Sequence, residues 1–337
     1  MTSMKTYIVI FLTCLSVLIA ANSFGREVVV YTSVDQVFSE PILKEYQKKT
    51  GVRVRPLYDV EASKTTGLVN RLIAEKNMPK CDVFWNSEFS RTILLKQKGV
   101  LAQYRSPSAE GIPARFRDKE DYWTGFAARS RVLIYNTRLL EKKALPNSIF
   151  DLTRTKWKER VALAYPLFGT TATHMAALYA TIGKEKTEKY LQDLKANQVV
   201  IVNGNSISRD IVVEGRVPIG FTDTDDVNVA VQSGKPVKMI YPDQHGIGTL
   251  FIPNTVALIQ NSPHPSEGRK LIDYLLSREV ESKLAFSESA QVPLRDDVQR
   301  PSYIPVFSSI KAMDVDYYKI AEYMDQAARF CRDLFVR

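Results

Sequence analysis

The chain has 337 residues, a formal net charge of +9 from 46 Lys and Arg against 37 Asp and Glu, and three cysteines. That length exceeds what one hydrophobic core normally serves and predicts two domains. The positive excess favours encounter with anions, but no basic block interleaved with aromatics points to nucleic acid, and cysteines this widely scattered exclude a zinc cluster of the repeated CxxC kind.

At the start, residues 1–25 carry Lys5 and no acid, run apolar over 8–21, and reach Ala21, Asn22 and Ser23. This is the order of a cleavable secretory signal peptide. The alternative, a membrane anchor, needs about 20 apolar residues; a lipoprotein site at Cys14 is a third reading, weakened by Thr13 where a small residue is usual. Export to the periplasm is the expectation. Cys81 and Cys331 then remain, and an oxidising compartment permits a disulfide between them, while two buried unpaired thiols fit equally well.

Residues 28–31 form a short β-branched apolar run, followed by Thr32, Ser33 and Asp35 and then a helical segment over 41–50 that Gly51 closes. A strand over 52–57, a helix over 66–76 with Leu68, Val69, Leu72 and Ile73 on one face, a strand over 83–85 and a helix over 92–97 continue the series. Continuous apolar strands alternating with helices predict a parallel sheet covered on both faces. A second series comprises strands at 161–164, 199–202 and 218–221, with helices after Thr171 and over 186–196 and 206–214. The stretches 127–135, 237–241 and 250–258 are candidates for strands that cross between two lobes, since a chain that leaves the first lobe and returns must cross twice. Helical faces recur over 266–277 and 316–334. Lobe one is therefore expected over 26–128 plus about 242–300, lobe two over 129–241, and a C-terminal helical tail over 301–337.

Several segments, in order, carry a resemblance: Val30-Tyr31-Thr32-Ser33; Asp82-Val83-Phe84-Trp85 with Glu88; Ala128-Arg129-Ser130-Arg131-Val132 through Tyr135-Asn136-Thr137-Arg138; Trp157-Lys158-Glu159-Arg160; and Pro293-Leu294. Together they resemble the iron(III)-type periplasmic solute-binding proteins of ABC transporters, over about residues 28–293. The resemblance implies an α/β, two-lobed fold of type II, each lobe a mixed, mostly parallel sheet flanked by helices and joined by hinge strands. It also implies a ligand in the cleft between the lobes, a monomer, and an inner-membrane ABC permease with its ATPase as partners.

Ligand groups belong on loops at the carboxyl ends of the strands. In lobe one these loops carry Ser33 and Asp35, then Tyr58, Glu61 and Thr66, then Asn86 and Glu88. For each acid the alternative is a helix cap or a surface ion pair. In lobe two, Gly169, Thr170 and Thr171 precede a helix whose amides and dipole suit an oxyanion, with a plain N-cap as the alternative. Asp223, Asp225 and Asp226 crowd the start of another helix, where a hard cation or an ammonium would be held and where capping alone also favours Asp. Glu88, Asp223 and Asp225 are the candidate metal ligands. The ferric family places two adjacent tyrosines where this chain has Thr222 and Asp223, so ferric iron with carbonate or phosphate rests on carboxylates here. The competing ligand is a small organic or phosphorylated anion held by Arg129 or Arg209. Asp223 stands first among the candidate ligands, and Asp223→Ala is expected to weaken ligand binding while sparing the stability of the ligand-free protein. His174, His245 and His264 form no HExxH pair, and no GxSxG elbow, glycine-rich nucleotide loop or Cys–His pairing marks an enzyme. No resident cofactor is expected.

Overall fold

The computed structural model describes residues 26–59, 66–167 and 169–335. The signal-like segment with Cys14, and Glu61 among the site candidates, lie outside the described residues.

Strand β1 (Glu27–Thr32) lies parallel to β2 (Arg53–Tyr58) on one side and β3 (Val83–Asn86) on the other. Helix α1 (Gln36–Thr50) and helix α2 (Thr66–Ala74) make the connections. α1 begins five residues before the expected Pro41. The Ser39 hydroxyl bonds back to the carbonyls of Val34 and Asp35 at 3.1 Å, anchoring a first turn that the proline had concealed. Gly51, at φ +68°, ends the helix by donating to Gln47 O. Helix α3 (Ser90–Gln97) and the short β4 (Leu101–Ala102) follow.

The long strand β5 (Thr124–Asn136) belongs to two groups of strands at once. Residues 124–130 pair antiparallel with β10 (Phe251–Ile259), and residues 131–136 pair antiparallel with β8 (Ile219–Asp223) and β9 (Val237–Ile240). β6 (Val161–Ala164) lies parallel to β8 and to β7 (Val200–Val202). The resulting order is β2-β1-β3-β10-β5-β8-β6-β7, with β4 added to β10 and β9 to β5. The sheet is mixed rather than parallel because β5 and β10 run against their neighbours on either side. Of the three candidate crossing stretches, 237–241 stays beside the second half of β5 instead of passing to β10.

Where β5 meets β10, Ala127 is the extra residue of a bulge: Pro253 faces Ala128 while Asn254 faces Phe126. Ala127 takes φ +41°, a left-handed value unusual for a residue with a side chain. Its N–H is satisfied by Glu281 Oε1 at 3.0 Å, and Asn254 Nδ2 donates to its carbonyl. Glu281 is itself fully buried against Arg295, 2.8 Å away, whose remaining N–H groups reach the carbonyls of Ser108, Glu110 and Leu276. A buried ion pair whose every group is bonded holds its geometry tightly, and this one braces the bulge.

Helices α6 (Asn205–Val213) and α7 (Thr224–Gln232) pack on the second group of strands, α4 (Gly169–Ile182) reaches it through His174 on Phe221, and α5 (Lys184–Ala196) packs on α4. The segment expected as one helix over 266–277 is α8 (Pro265–Leu275). A further helix, α9 (Arg278–Phe286), starts behind it at Ser277, whose Oγ accepts Val280 N–H at 3.3 Å. The last helix, α10 (Tyr317–Phe335), lies across α4 and also touches α3. Among the described residues, no helix is long and apolar enough to cross a membrane. Cys81 and Cys331 are both buried and unpaired, so the disulfide alternative is not realised. Cys81 donates to Val83 O at 3.1 Å.

Candidate functional site

Alternation along β5 puts Arg129 and Arg131 on one face, and the boundary between the two groups of strands falls between them. Arg131 is opposite Asp223 in the β5–β8 ladder, and its guanidinium meets that carboxylate at 2.7 Å with no exposure to solvent. It also donates to Thr170 Oγ1 at 3.0 Å, Asn205 Oδ1 at 3.1 Å and Thr171 Oγ1 at 3.1 Å, and lies 4.4 Å from the centre of the Phe221 ring. The second oxygen of Asp223 accepts from Thr170 Oγ1 at 2.6 Å and Asn205 Nδ2 at 3.1 Å. One arginine thus ties together the first turns of α4 and α6 and the end of β8.

This network reassigns several groups that looked available in the sequence. Gly169 opens α4 in a left-handed conformation (φ +58°), so Thr170 and Thr171 belong to its first turn and not to a loop before it. Their hydroxyls are engaged with Arg131, Asn205 and Asp223. Both carboxylate oxygens of Asp223 are engaged as well, so removing it would strand a buried guanidinium. The expectation that Asp223→Ala spares the ligand-free protein is therefore replaced by its opposite. Arg131 and Asn205, which hold this arrangement, were absent from the candidate ligand set. Opposite charges at facing strand positions were the available signal for Arg131; nothing local marks Asn205.

Arg129 points into the space between the two groups of strands. It donates to Ser87 O, after β3, at 2.9 Å, and it lies 3.6 Å from Asp225 and 3.9 Å from Asp223. Burial works against its charge, but Asp225, Asp223, Asp35 and Asp226 outweigh that and raise its pKa. Asp225 is pushed up by burial and by Asp223, against the opposing pull of Arg129. Asp226 rises to about 7 through burial, Asp225 and Asp223, although Thr222 Oγ1 donates to it at 2.8 Å and Arg209 stands 3.7 Å away. The oxygens of Asp223, Asp225 and Asp226 lie within 4.8 Å of one another. Three carboxylates with raised or fully committed oxygens form a site that gains from added positive charge. Each, however, already has an arginine beside it: Arg131, Arg129 and Arg209.

A cleft opens against Arg129 and Asp225 and is lined also by Ser33, Asp35, Ser87 and Asn254. It brings together the loop after β1, the loop after β3, the middle of β5, the start of α7 and the β10 bulge. Asp225 Oδ1 is buried there without a hydrogen-bond partner among the described residues, and so is Asn254 Oδ1.

The other lobe-one candidates divide. Ser33 Oγ donates to Asn86 Oδ1 at 2.5 Å and accepts from Ser87 N–H at 2.9 Å while lining the cleft. Asn86 is buried, holding Thr92 Oγ1 and Glu88 O. Glu88 accepts from the amides of Ser90 and Arg91 at 2.5 and 2.9 Å, the capping alternative raised for it. Tyr58 ends β2 with its hydroxyl buried and its pKa raised to about 12 by burial and the charge of Glu40. Thr66 opens α2. None of Tyr58, Asn86 and Glu88 lines the cleft. His174 lies against Phe221, ring centres 4.9 Å apart, with neither nitrogen bonded among the described residues; burial and Arg131 hold its pKa well below 6.5. An apolar hollow beside Phe150 and Tyr190 shares no lining residue with the cleft.

Residues 79–318 match the family described as bacterial extracellular solute-binding protein. A putative 2-aminoethylphosphonate-binding periplasmic protein of Salmonella typhi is 28% identical over 292 residues, which cover 83% of each chain. An Fe(3+)-binding periplasmic protein of Serratia marcescens is 22% identical, covering 91% of this chain and 92% of that one. Iron-bound HitA from Pseudomonas aeruginosa superposes with a TM-score of 0.81 at 23% identity, over 92% of this chain and all of that one. At that identity the likeness establishes the type II periplasmic-binding fold.

Proposed function

The chain belongs to the bacterial extracellular solute-binding proteins, and from that premise we propose that it is the ligand-capturing component of an ABC importer, exported to the periplasm and acting as a monomer. It captures one small ligand in the cleft at Arg129 and Asp225, by closure of two lobes about β5 and β10. Closure is driven by the extra contacts the ligand makes in the closed form, and that form is handed to an inner-membrane permease and its ATPase. The ligand leaves unchanged. The carrying observation is the Arg129–Asp225 pair, which bridges the two groups of strands and leaves Asp225 Oδ1 without a partner among the described residues.

Such a pair serves a ligand that brings both a positive centre and negative oxygens. In the first reading this is ferric iron with carbonate or phosphate. The metal meets Asp225 and Asp226, with Asp223 behind them, and Arg129 turns to the anion. The relatives that bind ferric iron support it, as do the clustered carboxylates, since hard cations prefer anionic oxygen. A second reading, a small organic or phosphorylated anion, is favoured by one specific observation: each of the three carboxylates already has an arginine, so a trivalent cation would be met by three guanidinium groups. Elemental analysis and native mass spectrometry of protein isolated from the periplasm separate the two. One iron per chain with a co-bound oxyanion supports the first; iron-free protein carrying a small organic mass supports the second; protein carrying neither, and binding neither when supplied, overturns both.

A further inference from the structure

The unpartnered oxygens in the cleft are both acceptors, and that restricts what can fill it. Asn254 is only 2% exposed, and its amide orientation is fixed: Nδ2 faces three acceptors, the carbonyls of Phe126 and Ala127 and Gln291 Oε1. A flipped amide would set oxygen against all three, so Oδ1 is the atom left without a partner. Asp225 Oδ1, lining the same cleft, is buried and unpartnered too, while the other oxygen of Asp225 faces Arg129 at 3.6 Å. A buried acceptor without a donor costs free energy, and an ionised one costs more. An anion alone would satisfy Arg129 and leave both acceptors unpaired.

We propose that Asp225 Oδ1 and Asn254 Oδ1 form a subsite for a primary ammonium group, so that the ligand is a small zwitterion whose anionic end lies on Arg129. This rests on the organic-anion reading of the cleft and names the substrate class within it. Three N–H donors of an ammonium match the two orphaned acceptors with one donor to spare, and Asp35 lines the same space. The two acceptors come from opposite sides of the cleft: Asp225 from the start of α7, and Asn254 from the β10 bulge that Glu281 braces. An ammonium bonded to both therefore exists only when the lobes are together, which makes the amine a closure-dependent contact.

Calorimetric titration with two matched pairs of probes tests this: 2-aminoethylphosphonate against ethylphosphonate, and 3-aminopropanoate against propanoate. The expected result is that within at least one pair the aminated probe binds the wild-type protein at least about tenfold more tightly, the scale of a charge-assisted hydrogen bond. Asp225→Asn should shrink that gap to less than about threefold, with the non-aminated probe binding at least as tightly as before because Arg129 loses a competing carboxylate. Equal binding within both pairs, or equal weakening of both members by Asp225→Asn, overturns the ammonium subsite and leaves anion capture standing. Failure of all four probes to bind overturns the subsite together with the reading it rests on. The wild-type comparison needs no variant and decides the matter if Asp225→Asn does not fold.

Discussion

Asp223→Ala probes the interior of the second group of strands. In the folded protein the carboxylate accepts from Arg131 at 2.7 Å, Thr170 at 2.6 Å and Asn205 at 3.1 Å, and Arg131 is fully buried. Truncation removes one charge-assisted bond, worth roughly 1.5–3 kcal/mol, and two bonds to neutral donors, worth roughly 1 kcal/mol each. It also leaves a guanidinium unpaired in the interior, a loss measured in other proteins at about 3–5 kcal/mol for the pair as a whole. The larger figure already includes the hydrogen bonds, so the ligand-free protein should lose about 3–5 kcal/mol in urea unfolding. Replacing both charges, as in Arg131→Met with Asp223→Ala, should recover part of that loss, because no buried charge is then stranded. Unfolding of the single variant within about 0.5 kcal/mol of wild type would contradict this, since a buried pair of this geometry is not lost so cheaply.

Other perturbations have equally definite outcomes. His174 is held neutral in the folded state, with its pKa depressed below 6.5, so the unfolded chain binds the extra proton as pH falls. Stability is full above about 6.5 and should decline by up to about 1.4 kcal/mol per unit below it. His174→Leu should flatten that acid limb in unfolding curves recorded from pH 8 to 5. Cys81 and Cys331 are buried with pKa values raised by burial, so neither should react with a thiol reagent in native protein, and both should react in guanidinium. Ala127→Gly relieves a left-handed backbone but removes a fully buried methyl, effects of about 1 kcal/mol each and of opposite sign, so urea unfolding should stay within about 0.5 kcal/mol of wild type.

How much of this was legible beforehand follows the range of the interactions. Strand 161–164 is visible because a run of four apolar residues needs no partner to be recognised. The bulge at Ala127 is not: it exists only because β10 returns from residue 251 to pair with β5, and its support, Glu281, arrives 154 residues later. The start of α4 was placed after Thr171 because Gly-Thr-Thr reads as a loop, yet the helix opens at Gly169 once Arg131 and Asn205 supply partners for the hydroxyls. At the site, Asp225, Ser33 and Asp35 were recognisable from residue type at strand ends, and Arg129 as an arginine able to hold an anion. Asn254 was not, since an asparagine inside an apolar strand carries no local sign of which atom is left unbonded. Asp223 shows the converse: its type and position suggested a ligand, and its cross-strand partner commits it to the interior.

The central claim is that a small ligand is held on Arg129 between the two groups of strands. Its most direct test is native mass spectrometry of wild-type and Arg129→Ala protein isolated from the periplasm, with urea unfolding of both as the folding control. One ligand mass per wild-type chain, absent from an Arg129→Ala protein that still unfolds cooperatively, is the predicted result; the same mass at the same occupancy in both proteins contradicts it.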